Sequence, residues 1–254
     1  MTIDNLGIGG KRYKEAKHAL LAALASQEWK GGEAIPSERR LAERFGISIG
    51  TVRKAIDELV AENILVRHQG LGTFVAHHQR DRHFFRFFRV VGAGGDRRFP
   101  TVELLSFEQA KASPSVARLL AIAPGATIYK FSNSLALEGE VVMIDRIVVA
   151  ESRFRGLTED ALRERPSTLY NFYQDVFHVY VTGIEERLRA TVADHTLAGS
   201  LDVPVGAPLL EIRRVAYSYQ QVPVEVRISN VNTAKHEYVG ATTLPTPPYE
   251  NGIP

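Results

Sequence analysis

Apolar positions in the first 62 residues recur at helical spacing in three separate blocks. From Lys11 to Gln27, the residues Tyr13, Ala16, Leu20 and Leu24, with Leu21 and Ala23 beside them, predict one helix, closed by Gly31-Gly32. Ser37 is placed to cap a short second helix that carries Leu41, Ala42 and Phe45 on one face and stops at Gly46. Ser48 caps a third, whose apolar stripe of Val52, Ile56, Leu59 and Val60 leaves Thr51, Arg53, Lys54, Asp57 and Glu58 outside it. The period then changes. Ile64 to Arg67 and Thr73 to Val75 read as strands around His68-Gln69-Gly70-Leu71-Gly72, a glycine-rich stretch suited to a protruding hairpin.

After a polar, charged segment from Ala76 to His83, the pattern alternates strands with short helices. Strands are predicted at Phe84 to Val91, Val102 to Phe107, Thr127 to Leu137, Val141 to Val149, Val179 to Arg189, Pro208 to Ser218 and Val222 to Asn232. Glu138-Gly139 and Gln220-Gln221 fall where tight hairpin turns belong. Helices are predicted at Pro114 to Ala121, Thr158 to Arg163, Thr168 to Phe177 and Val192 to Leu201. Hairpins joining successive strands imply a largely antiparallel sheet with helices packed on it, so the fold class is α+β. The boundaries that follow are an N-terminal unit at residues 1–76, a linker at 77–83, a second unit at 84–244, and an unstructured tail at 245–254, where four of ten residues are proline.

Composition narrows the function. The 254 residues include no cysteine, which excludes disulfide frameworks, thiolate metal sites and cysteine nucleophiles and agrees with a reducing, cytoplasmic setting. No run reaches the length of a membrane span, and the N-terminus lacks the pattern of a signal peptide, so no membrane partner is expected. The net charge of +2 conceals an asymmetry: residues 1–98 hold 17 Lys or Arg against 11 Asp or Glu, and residues 99–254 hold 14 against 18. A basic N-terminal unit points to a polyanion as its partner, although solvated basic helices give the same count.

PSERRLAERFGISIGTVRKAIDEL reads as a helix, a turn at Gly46 and a second helix opening at Ser48, which is helix-turn-helix architecture; the hairpin after it makes the unit winged. Such a second helix fits the major groove of double-stranded DNA, and Arg39, Ser48, Ile49, Gly50, Thr51, Arg53 and Lys54 are available for base edges and phosphates. The wing, through His68, Gln69, Gly70, Gly72 and Thr73, can lie along the adjacent minor groove. Pattern alone leaves a plain three-helix bundle as the alternative.

The run IPSERRLAERFGISIGTVRKAIDELVAENILVRHQGLGTFVA resembles the winged helix-turn-helix of the GntR family of bacterial transcription regulators nearly position by position. The resemblance implies that Arg39 contacts phosphate or a guanine, that Thr51 and Arg53 lie on the recognition surface, and that Gly70 forms the wing tip. Many members carry an arginine where this chain has Ile49; its loss implies an unusual operator, with Ile49 meeting a thymine methyl. Ser-Thr-Leu-Tyr at 167–170, the run GIEERLRATVADHTLAGSLDVPVGAPLLEIRRVAY and the ending PVEVRISN are similar to the UTRA effector-binding domain of the HutC branch. That implies a chorismate-lyase-like fold that dimerises and binds a small metabolite on its sheet. By the same match Asp145, Thr168, Tyr170 and Glu225 should face the pocket, with Arg227 on the same strand face as Glu225. Arg86 and Arg89 are further anion-binding candidates. Asn133 and Leu135 stand where phosphosugar binders often have an Arg-x-Arg pair, which favours a carboxylate over a phosphosugar as the anionic effector.

No other chemistry survives inspection. His77, His78 and His83 lack carboxylates at metal-ligand spacing, and VVGAGGDRRF fails as a dinucleotide fingerprint because Arg97 replaces the third glycine, so neither a metal nor a cofactor is expected. The whole reads as a homodimeric, metabolite-released repressor on a near-palindromic operator, not an enzyme. Its competitors are a chorismate-lyase-like enzyme domain tethered to a DNA-binding module, and a structural DNA-binding protein whose second unit only dimerises.

Overall fold

The computed structural model of the chain describes residues 6–62, 64–76, 87–95 and 97–240. Arg86, the three linker histidines, and the expected linker and tail lie outside them.

Helix α1 spans Leu6–Ala25, α2 spans Glu38–Phe45 and α3 spans Ile49–Ala61. Gly31-Gly32 does not end the first helix. Gln27 does, at φ 60°, with Glu28 N donating to Ala23 O at 3.0 Å. The junction between α2 and α3 follows the sequence logic: Ser37 caps α2, Gly46 ends it in the left-handed region at φ 63°, and Ser48 caps α3 by accepting from Thr51 N at 3.2 Å. Gly46 has a mechanical reason to be glycine, since an L side chain at that φ is strained. Strands β1 (Leu65–His68) and β2 (Gly72–Val75) form the hairpin, and the loop after α1 borders β2, with Ile35 N bonded to Thr73 O at 2.9 Å. Leu20, Leu24, Leu41, Val52, Ile56, Leu59 and Leu65 bury together as the core of this unit.

The second unit is a six-stranded antiparallel sheet in the order β4-β5-β6-β9-β8-β7, with β4 at Thr101–Lys111, β5 at Thr127–Leu137, β6 at Glu140–Ala150, β7 at Gly183–Val192, β8 at Pro208–Tyr217 and β9 at Pro223–Val231. Helices α4 (Pro114–Leu120), α5 (Glu159–Arg163), α6 (Leu169–Phe177) and α7 (His195–Leu201) connect or cover it. Glu138-Gly139 and Gln220-Gln221 both have positive φ, as tight reversals between twisted strands require.

Several boundaries differ from the periodicity; β4, for one, runs to Lys111, past the expected end at Phe107. Of the strand expected at 84–91, residues 84–86 lie outside the described residues, and among the rest only Val90 and Val91 belong to one, β3 (Val90–Gly92), which pairs with a three-residue strand, β10 (His236–Tyr238), too short to show alternation. Tyr180 and Val181 are buried ahead of β7 instead of within it. Val192 ends β7, and α7 starts at His195, where the Asp194 carboxylate accepts from Leu197 N at 2.7 Å.

The two units share one seam. Tyr180 and Tyr219 are buried against the N-terminal core, their rings 5.5 Å apart, and the backbone N–H of Gly31 donates to the Tyr180 hydroxyl at 3.2 Å. Among the described residues no helix is long and apolar enough to cross a membrane.

Candidate nucleic-acid interface and ligand cavity

Helix α3 turns its stripe of Val52, Ala55, Ile56 and Leu59 inward, which leaves Ile49, Gly50, Arg53 and Lys54 outward. Ile49 is 42% exposed, and nothing crowds Gly50. Ser48 and Thr51 hydroxyls bond each other at 2.8 Å at the helix start. Arg53 does not hang free: its Nε donates to Glu38 on α2 at 2.8 Å, and Arg67 on β1 donates to the other oxygen of the same carboxylate at 3.2 Å. Arg67 also meets Asp57 at 2.9 Å. Lys54 lies over the Tyr13 ring, 4.4 Å from its centroid. Arg39 is exposed beside Glu43. In the hairpin, Gln69 and Gly70 form the tip, His68 packs edge-on against Phe74, and Leu71 projects with 76% exposure. Leu71 is an apolar side chain at a wing tip that sequence reasoning passed over.

The second site is laid out by strand register. Asn133, Asp145, Ser229 and Ile212 form one cross-strand row on β5, β6, β9 and β8. The next row on the same face holds Phe131, Ile147, Arg227, Arg214 and Glu186, and the third brings Tyr129, Val149, Glu225 and Ala216 level. Arg227 therefore stands between two carboxylates. It grips Glu225 through Nε at 2.9 Å and Nη2 at 3.0 Å, and reaches Asp145 Oδ2 through Nη1 at 2.9 Å. Ser229 donates to the other oxygen of Asp145. Tyr170 and Tyr173, on α6, donate to the two oxygens of Glu225 at 3.0 and 2.9 Å.

A second ionic group adjoins the first. Arg214 pairs with Glu186 at 2.7 Å, donates to Phe87 O at 2.6 Å and touches the Tyr170 hydroxyl at 3.4 Å; Arg89 reaches Glu186 at 2.9 Å and the Tyr238 hydroxyl at 3.1 Å. Burial and then the Glu225 charge push the Tyr170 phenol up to about 12. Burial works against the charged form of Arg227, but Glu225, Tyr170 and Asp145 hold its pKa well above the usual range.

Above this face lies a cavity of about 260 Å³. Of the predicted residues, Arg89, Asp145, Thr168, Tyr170 and Arg227 line it. Glu225 does not: it is 0% exposed, enclosed behind Arg227 by the two tyrosines. Thr168 is occupied as the cap of α6, accepting from Asn171 N at 3.4 Å. Asn133 and Leu135 are wall residues. Sequence reasoning missed Ser229, although it continues the alternation of Glu225 and Arg227. It also missed Arg163, at the end of α5, Arg214, and Arg165, the last because the connection between α5 and α6 has no periodicity to read.

Together the geometry is that of a winged helix-turn-helix joined to an antiparallel-sheet ligand domain, the architecture of a DNA-binding transcriptional regulator. Two family models match: bacterial regulatory proteins of the gntR family over residues 12–75, and the UTRA domain over residues 96–237. The chain belongs to the GntR family of bacterial regulators and carries a UTRA domain. It is 26% identical over 215 residues to the probable fructoselysine utilization operon transcriptional repressor of Escherichia coli K12, covering 84% of this chain and 87% of that one. It is 27% identical over 214 residues to the histidine utilization repressor of Pseudomonas aeruginosa PAO1, covering 81% of each. The ligand-binding domain of a GntR-family transcriptional regulator from Bordetella bronchiseptica superimposes with TM-score 0.59 at 28% identity, covering 62% of this chain and 98% of that one.

Proposed function

We propose that the protein is a cytoplasmic repressor that binds a near-palindromic operator as a homodimer and is released by a small anionic metabolite. In this reading residues 1–76 bind DNA, with α3 in the major groove and the β1–β2 hairpin along the minor groove, and residues 84–244 bind the effector and dimerise. Twofold symmetry lets two small units read two half-sites.

The observation that carries the reading is the coexistence of an outward helix face bearing Ile49, Arg53 and Lys54 with an ion-lined cavity elsewhere in the same chain. Relatives named as utilization repressors support the sign of the regulation. Binding without turnover is supported by the engagement of both candidate acid/base groups: Asp145 is held by Arg227 and Ser229, and Glu225 by Arg227 and two tyrosines.

Selection of operator sequences from random DNA, followed by gel-shift titration with and without candidate metabolites, tests it. A twofold-symmetric consensus bound by a dimer and weakened by a metabolite that is recovered unchanged is expected. Sequence-independent binding insensitive to every metabolite would favour a structural DNA-binding protein, and turnover would favour an enzyme.

A further inference from the structure

From the charge balance of the cavity we infer that Arg165 is its anion anchor, and that the effector offers this guanidinium a single carboxylate, not a phosphate. The inference rests on reading the cavity as the effector site.

Five arginines line the cavity: Arg89, Arg163, Arg165, Arg214 and Arg227. Four carboxylates answer them. Arg227 holds Glu225 and Asp145, Arg214 and Arg89 share Glu186, and Arg163 pairs with Glu159 at 2.7 Å. The Arg227 group carries one negative charge in excess and the Arg214 group one positive, and they touch through Tyr170, so the two cancel. Arg165 is left over. Among the described residues no carboxylate pairs with it, and its hydrogen-bond partner is a backbone carbonyl, Leu162 O. Arg165 is half-buried, and burial, joined by the nearby Arg227 charge, lowers its pKa, in keeping with a cation partly withdrawn from water with no carboxylate beside it. A guanidinium held in that condition at a cavity wall is a receptor for an incoming oxyanion.

The single excess charge selects the class of anion. A carboxylate brings one negative charge and two oxygens that match the guanidinium fork. A phosphate monoester brings about −1.5 to −2 at neutral pH and needs a second cation. Asn133 and Leu135, wall residues where one could stand, are uncharged. Asn133 adds a demand of its own: it is 3% exposed and its amide oxygen has no hydrogen-bond partner, so an N–H or O–H donor on the ligand, met after rotation of the amide, would satisfy it.

The test uses the full chain, with butyrate, glutamate and inorganic phosphate as probes at ionic strength matched with chloride. Thermal melts and calorimetry on the wild type should show a carboxylate raising Tm by about 2 to 4 °C at ten times its Kd, with phosphate weaker. Arg165→Gln should weaken carboxylate binding at least tenfold, and Arg165→Lys, which keeps the charge and loses the fork, several-fold. If Arg165→Gln fails to fold, the lysine variant decides. Wild-type carboxylate affinity in the deciding variant, tighter binding of phosphate than of either carboxylate, or no shift of the wild type by butyrate or glutamate would overturn the inference. Gel shifts on the same preparations keep the two readings apart: a variant that grips operator but ignores carboxylate fails only in the cavity, whereas a wild type that grips no operator fails the regulator reading.

Discussion

Glu38 Oε2 accepts from Arg53 Nε at 2.8 Å, so the arginine on the recognition face is held by the helix that precedes it. Both groups lie at the surface, where such a pair contributes little to stability. The value of the pair is orientation. Arg53→Ala is expected to leave the melting curve nearly unchanged and to cost about 1 to 3 kcal/mol in operator binding if Arg53 reads a base. Gel shifts on specific and scrambled DNA check this; equal losses on both would make Arg53 a phosphate contact.

Glu38→Gln makes the complementary prediction. It removes the negative charge shared by Arg53 and Arg67 and leaves both arginines freer to meet phosphate. Affinity for scrambled DNA at low salt should rise, and the dependence of binding on salt should steepen. A salt titration showing unchanged slope would mean that neither arginine approaches the backbone.

Tyr170 sets an alkaline limit. Its phenol titrates at about 12 in the fold and near 10 in the unfolded chain. Between those values the folded state holds the proton that the unfolded state has lost, so this contribution is complete below about pH 10 and disappears as pH rises toward 12. The amount at stake is up to about 2.5 kcal/mol. Tyr170→Phe should show a shallower decline than wild type in denaturant titrations across that window. Parallel curves for the two proteins would refute the assignment.

The turn at Gln220-Gln221 places two non-glycine residues at φ 57° and 58°, a geometry that favours Asn-Gly. Gln221→Gly trades backbone strain against a more flexible unfolded chain, and a net gain of about 0.5 to 1 kcal/mol is expected. A midpoint in urea that falls instead of rising would show that the glutamine side chain has a contact to lose.

The legible part of the molecule was the part governed by period and by caps. Ser37, Gly46 and Ser48 announced α2, the turn and α3, because a hydroxyl cap and a left-handed glycine act locally. Asp145 and Glu225 were expected at the pocket from the family resemblance, and alternation along β9 added Arg227 to the face of Glu225. What the sequence did not reveal was who neutralises whom. Arg227 looked available for an anion and is gripped by two carboxylates, while Arg165, in an aperiodic connection, has none among the described residues. Register across four strands decides that, and register is a tertiary quantity. β10 was missed for the same reason, since three residues acquire meaning only from the strand they pair with.

Tyr180 and Tyr219 give the seam between the units a consequence for transplanting them. On the sequence the two functions part at residues 77–83, but the core around Leu20, Leu24 and Leu59 includes these two rings from far downstream. A hybrid regulator cut at the linker would therefore seat a foreign surface against α1. Tyr219 also belongs to the turn that starts β9, the strand that a few residues later brings Arg227 to the cavity with Glu225 enclosed behind it. Portable specificity in this scaffold thus requires moving the hairpin end along with the DNA-reading helices, so that graft and host agree on the side chains that fill the joint.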